Sequence, residues 1–223
     1  MKHLIKPVVL SLALLTANAA NATDILVSEL GGTVVYDKTT NLSWIANANL
    51  AATNTFGVSG IVSGSMSWQT AQNWVTAMDA AKYLGYSDWR LPTSNTCIGK
   101  NCTGSEMGNL FYNGLGQVAG TDIATTHNAN YSLFNNVQSG LSASYWSGTE
   151  YAPNPGFAWY FGTGYGGQGT YFTSGGMFAL AVRPSNVAAV PEPAESSLML
   201  TGLGLMGWLA RRKKIASSTH GTN

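Results

Sequence analysis

Between Gly162 and Gly176 the chain reads GTGYGGQGTYFTSGG, seven glycines in fifteen residues. A helix cannot hold that density, because each interior glycine costs about 1 kcal/mol relative to alanine. Glycines so spaced belong to turns and to strands that other backbone approaches closely. The surrounding residues are aromatic and β-branched, the types that suit a pleated surface. This half of the chain is therefore confined to short strands joined by tight turns. Four strands are predicted, Ser144–Glu150, Phe157–Thr163, Gln168–Phe172 and Met177–Arg183. In the second, Phe157, Trp159 and Phe161 alternate with Ala158 and Tyr160, which predicts one face more deeply buried than the other.

The first half reads differently. Thr33–Tyr36, Asp37–Asn41 and Leu42–Trp44 have the pattern of a hairpin closed by an Asp/Asn turn. Asn47–Ser65 is rich in Ala, Asn, Gly and Ser and reads as a surface loop. Ser67–Tyr83 carries the clearest helical period. Ser67 is placed to cap it, Trp68, Ala71, Trp74, Val75, Met78 and Ala81 form an apolar face, and Gly85 stops it. The two tryptophans of this face are expected in the core. A second short helix is predicted over Ser105–Leu115, broken by Gly108 and Gly114. The fold class is thus α+β, two helices and a strand-rich, loop-rich second half.

Charge narrows the function. Charged residues are only 9% while aromatics reach 11%, so a packed core is available beneath a surface of Asn, Ser and Thr. The overall charge of +1 hides an asymmetry, because Lys2, Lys6, Arg211, Arg212, Lys213 and Lys214 all sit in the end segments. Between Thr23 and Val190 five cations against eight acids leave −3. That excludes a basic patch able to displace counterions from phosphates, so no nucleic-acid partner is expected.

The ends read as addresses. In residues 1–22, Lys2 and Lys6 precede the apolar run Val8–Ala17, and Ala20-Asn21-Ala22 gives a small-x-small cleavage site. This is the pattern of a secretory signal peptide, with a mature chain expected to start at Thr23. Near the other end, Ser196–Ala210 is fifteen residues without a charge. At ~1.5 Å per residue it reaches roughly 22 Å, and a segment over 194–210 just spans a bilayer. Arg211–Lys214 would hold the C-terminus on the cytoplasmic side, leaving the domain over 23–187 outside the inner membrane. The string Gly202-Leu203-Gly204-Leu205-Met206-Gly207 matches a dinucleotide fingerprint, but only sixteen residues follow and no strand precedes. Small residues in a membrane helix account for it, and no cofactor is expected.

Val190-Pro191-Glu192-Pro193, the apolar segment and the basic cluster together resemble a PEP-CTERM sorting signal, spanning 188–214. The tail 215–223 is longer than such signals carry. The resemblance implies export machinery and an exosortase as partners and transient anchoring in the inner membrane of a Gram-negative bacterium. Delivery to the cell surface or extracellular matrix would follow, with Pro191, Glu192, Pro193 and Arg211, Arg212, Lys213, Lys214 as the signal residues.

A second resemblance covers roughly Val34 to Pro184. Val35-Tyr36-Asp37 with Leu42-Ser43-Trp44, the Ser67–Ala81 helix, Gly85-Tyr86-Ser87-Asp88-Trp89-Arg90-Leu91-Pro92-Thr93, Tyr145-Trp146-Ser147-Gly148-Thr149 and Ala181-Val182-Arg183-Pro184 are similar to the Lcl C-terminal domain family. That implies a C-type-lectin-like fold without a defined activity. The E-P-N or Q-P-D and W-N-D ligands of calcium lectins are missing from the sequence, so calcium-dependent sugar binding is not expected.

Catalytic constellations are thin. His127 is the domain's one histidine and lacks a nucleophile-elbow context. Asp88, Glu106 and Glu150 are the acids considered for a glycosidase pair, with Glu106 or Glu150 as acid in the enzyme alternative. Arg90 and Arg183 stand out because cations are scarce, and each is expected to fix a carboxylate or buried carbonyls where segments meet. Cys97 and Cys102 bracket the loop CIGKNC, and in an exported chain they are expected to form a disulfide, not a metal site. The aromatic, Gly-rich region Tyr145–Phe178 is the expected ligand surface, with Tyr165, Tyr171 and Trp159 as the contact residues named for it. The expectation is a non-enzymatic protein that contacts exopolysaccharide or another envelope component.

Overall fold

The computed structural model of the chain describes residues 25–185. The expected signal peptide over 1–22, the expected sorting signal over 188–214 with its segment 194–210, and the tail 215–223 lie outside the described residues. Among the described residues no helix is long and apolar enough to cross a membrane.

The architecture is α+β, with two helices and two antiparallel four-stranded sheets. The first sheet has the order β1 (Leu26–Glu29), β2 (Val34–Asp37), β3 (Leu42–Ile45), β8 (Val182–Pro184). The second has the order β4 (Gly99–Lys100), β7 (Gly167–Phe172), β6 (Phe157–Gly162), β5 (Ser144–Glu150). The β2–β3 hairpin follows the sequence pattern. Asp37 closes its turn by accepting from the Thr39 amide at 2.8 Å and from the Thr39 hydroxyl at 2.6 Å. β1 and β4 escaped the sequence reading, being four and two residues long.

Met177–Arg183 is not one strand. Its start lies on the second sheet, where the Phe178 amide donates to Ser144 and the Trp146 amide donates to Phe178, both at 2.9 Å. Its end is β8, paired with β3. The run is a strap that crosses from one sheet to the other.

α1 is Trp68–Ala80, capped by the Ser67 hydroxyl, which accepts from the Thr70 amide at 3.2 Å. It ends earlier than its apolar period suggested, because Lys82 and Leu84 take left-handed backbone at φ 48° and 55° before Gly85 at φ 85°. α2 is Glu106–Asn109, followed by a π turn over Leu110–Gly114.

Two apolar clusters fill the interior. One gathers Trp44, Leu110, Phe111, Ile123, Tyr145 and Phe161. The other gathers Ile45, Trp74, Met78, Trp89, Trp146 and Ala158. Neighbouring residues of one strand go to different clusters, Trp44 against Ile45 and Tyr145 against Trp146. Both faces of the central strands are therefore covered. This corrects the expectation for β6, in which Ala158, Trp159 and Phe161 are all buried. Cys97 and Cys102 form a disulfide that closes a short loop, and β4 within that loop pairs with β7 along the sheet edge.

Candidate functional site

The sequence blocks around Trp89 and Trp146 meet in space. The Ser147 hydroxyl and the Gly148 amide both donate to the Pro92 carbonyl at 2.8 Å, and the Ser94 amide donates to the Thr149 hydroxyl at 3.0 Å. The Trp89 amide donates to the Asp79 carboxylate at 2.7 Å and its indole donates to the Tyr83 carbonyl at 3.1 Å. Burial pushes the Asp79 carboxyl above its ordinary range, Asp88 adds to this, and the Trp89 hydrogen bond opposes it. The Trp146 indole donates to the Met66 carbonyl at 2.9 Å. These blocks hold α1, the loop after it and β5 together.

That lacing is what a family signature would preserve, and a family model for the Lcl C-terminal domain matches residues 33–183. The chain belongs to the Lcl C-terminal domain family. No curated protein matches the sequence.

The two arginines of this Lcl domain are committed to ion pairs. Arg90 meets Glu106 in a fork with both nitrogen–oxygen distances at 2.7 Å, and the Thr93 amide donates to the same carboxylate at 2.7 Å. Arg183 bonds Asp88 at 2.6 and 3.2 Å, and its guanidinium lies 3.7 Å over the Tyr86 ring. Arg183 is nearly sealed, with 4% of its side chain exposed against 35% for Arg90.

Among the described residues, two of the open clefts bear on the acids considered above. The larger, of about 470 Å3, is lined by Ser67, Trp68, Gln69, Glu150, Pro155, Thr173 and Ser174. The smaller, of about 360 Å3, is lined by Thr40, Leu42, Thr103–Glu106 and Asn109. Glu106 and Glu150 thus face different clefts and are not brought together.

Trp68 meets the core expectation only in part: Trp74 is fully buried, while Trp68 is half-buried, packs against the same cluster and also forms cleft wall. Helical geometry carried the signal, since six residues at roughly 100° each leave the two rings about 120° apart around the axis. The Trp68 indole is fixed by donating to the Ser147 carbonyl at 2.8 Å, and its amide donates to the Thr173 carbonyl at 2.9 Å.

Next to Thr173 in the chain, outside the residues that line the cleft, stands an aromatic group. Phe157 and Phe172 face each other across the β6–β7 pair at 4.4 Å, and Tyr171 meets Phe172 edge-on at 5.7 Å. Tyr171 is 47% exposed and Phe172 55%. Trp159 is only 4% exposed, edge-on to Tyr151, so its face is closed to a solute. Tyr165 lies in the β6–β7 turn, at the far end of β7 from Tyr171. Its ring covers Gly162 and Gly167, where an added Cβ would fall 2.9 and 2.0 Å from it. Its hydroxyl meets that of Tyr160 at 3.2 Å. Burial, with that hydrogen bond as the second cause, pushes the Tyr160 phenol up to about 12.

His127 stacks on Tyr131 at 4.1 Å, and its Nδ1 lies 2.6 Å from the Ile123 carbonyl. Among the described residues no three His, Cys, Asp or Glu side chains gather as a metal site.

Proposed function

We propose that this chain is an exported, non-enzymatic protein of the cell surface or extracellular matrix. Its C-terminal segment is a PEP-CTERM signal that an exosortase reads, and its Lcl domain has a C-type-lectin-like arrangement that binds exopolysaccharide or another envelope component. The observation that carries the binding reading is the Trp68–Glu150 cleft, whose lining residue Thr173 directly follows the exposed Tyr171 and Phe172 in the chain. Flat aromatic faces suit the apolar faces of sugar rings, and flanking hydroxyl and amide groups can bond sugar hydroxyls.

The alternative, an enzyme acting on envelope polysaccharide through Glu106 or Glu150, has less support. Glycoside hydrolysis generally needs two carboxyl groups flanking one bond. Glu150 is the single carboxylate among the residues lining its cleft, and Glu106 is held by Arg90.

The test mixes the full chain with exopolysaccharide purified from its host. The expected result is saturable binding without release of reducing ends, weakened roughly three- to tenfold by Tyr171→Ala, the scale of one aromatic contact. Release of reducing ends that stops in Glu150→Gln would instead establish the enzyme.

A further inference from the structure

We infer that the Trp68–Glu150 cleft selects sugar units carrying a free ammonium, as in a de-N-acetylated hexosamine polymer, over neutral N-acetylated units and over uronates. This rests on the polymer-binding reading above and adds the charge of the polymer to it.

The cleft wall is built before any ligand arrives. Trp68 is held at both its indole and its amide, and Gln72 on the next turn donates to the Gly148 carbonyl at 3.3 Å. α1 is thus tied to β5 just ahead of Glu150. The β5–β6 register shifts between Trp146 and Glu150, and pairing resumes at Glu150 opposite the buried Ala158. Glu150 is thereby anchored by its backbone at the strand end while its side chain stays exposed.

The distribution of charge decides what this wall attracts. Asp88 and Glu106 are neutralised by arginines, whereas Glu150 has no cationic partner among the described residues. No lysine, arginine or histidine is among the residues lining the cleft, and the domain carries −3 from five cations and eight acids. A carboxylate is a pure acceptor and an ammonium a pure donor. A tryptophan ring lining the same cleft can also attract a cation through its quadrupole. Trp68, Glu150 and the hydroxyls of Thr173 and Ser174 therefore match an ammonium-bearing sugar, and a uronate would bring like charge against Glu150.

The experiment compares three probes on the full chain: a glucosamine hexasaccharide, an N-acetylglucosamine hexasaccharide and a hexauronate. The first is expected to bind up to about fivefold more tightly per site than the second, the scale of one exposed charge pair, and the third least. Glu150→Gln, at an exposed position, should keep the thermal midpoint and abolish the difference between the first two. Raising salt from about 50 mM to about 500 mM should shrink that difference in the wild type only. Equal binding of the two hexosamine probes, or a preference that survives Glu150→Gln, overturns the inference while leaving polymer binding intact. Failure of all three probes on a chain that binds its host's exopolysaccharide also overturns it. Failure on that exopolysaccharide as well removes the function it rests on.

Discussion

Arg183 illustrates how much one residue decides in a domain with so few charges. Its guanidinium is sealed between Asp88 and the Tyr86 ring, with Trp89 at 6.0 Å. A lysine could keep the charge but neither the two-point contact nor the flat stacking. Arg183→Lys is therefore expected to lower stability by roughly 1–3 kcal/mol in chemical denaturation. An unchanged midpoint would show that the fork and the stacking contribute nothing. The importance of Arg90 and Arg183 was readable because cations are scarce, but their partners were not. Glu106 lies 16 residues from Arg90 and Asp88 lies 95 from Arg183, and spacing of that kind does not say which carboxylate meets which fork. Tyr165 and Tyr171 likewise read alike, as tyrosines in a Gly-rich run. They differ because Tyr165 folds back over two glycines at the turn, whereas Tyr171 lies near the open end of the same hairpin, against Gly175, and stays 47% exposed.

α2 was expected to break at Gly108, since glycine is a poor helix former. It instead holds Gly108 inside its four residues, because a Cβ there would fall 1.9 Å from the Cys102 carbonyl oxygen. The glycine permits a close approach between the disulfide loop and the helix. Two effects then oppose each other in Gly108→Ala. Helix propensity would favour alanine by about 1 kcal/mol, and the clash with backbone would cost roughly 1–3 kcal/mol or more. The clash should dominate, and thermal unfolding should show a net loss of stability. A gain would mean that the loop is free to move away. α1 and the β2–β3 hairpin were legible because each carries its period and its end signals locally, Ser67 at the helix start and Asp37 at the turn. The strap Met177–Arg183 was not, because a nearly continuous apolar run does not record that its two ends pair with different sheets. β6 misled for a related reason, since strands buried on both faces lose the alternation that marks a solvent side.

In the molecule as a whole, scaffold and candidate surface are separate. The residues that made the family legible, around Trp89, Trp146 and Arg183, lace the two sheets and α1 together. The cleft is formed by Trp68, Glu150, Pro155, Thr173 and Ser174, at the helix start, the strand ends and the loops beside them. Fold was therefore more readable than site, because packing uses periodic and motif residues while a binding surface uses whatever side chains the ends of elements present. The account requires that this surface be displayed beyond the inner membrane, and intact mass of the protein recovered from its host's envelope and medium tests that most directly. The account predicts a species that begins near Thr23 and ends near Pro193, with or without an added group. A species that still carries Ser196–Lys214 would contradict sorting to the surface and would place the domain on a permanent membrane anchor.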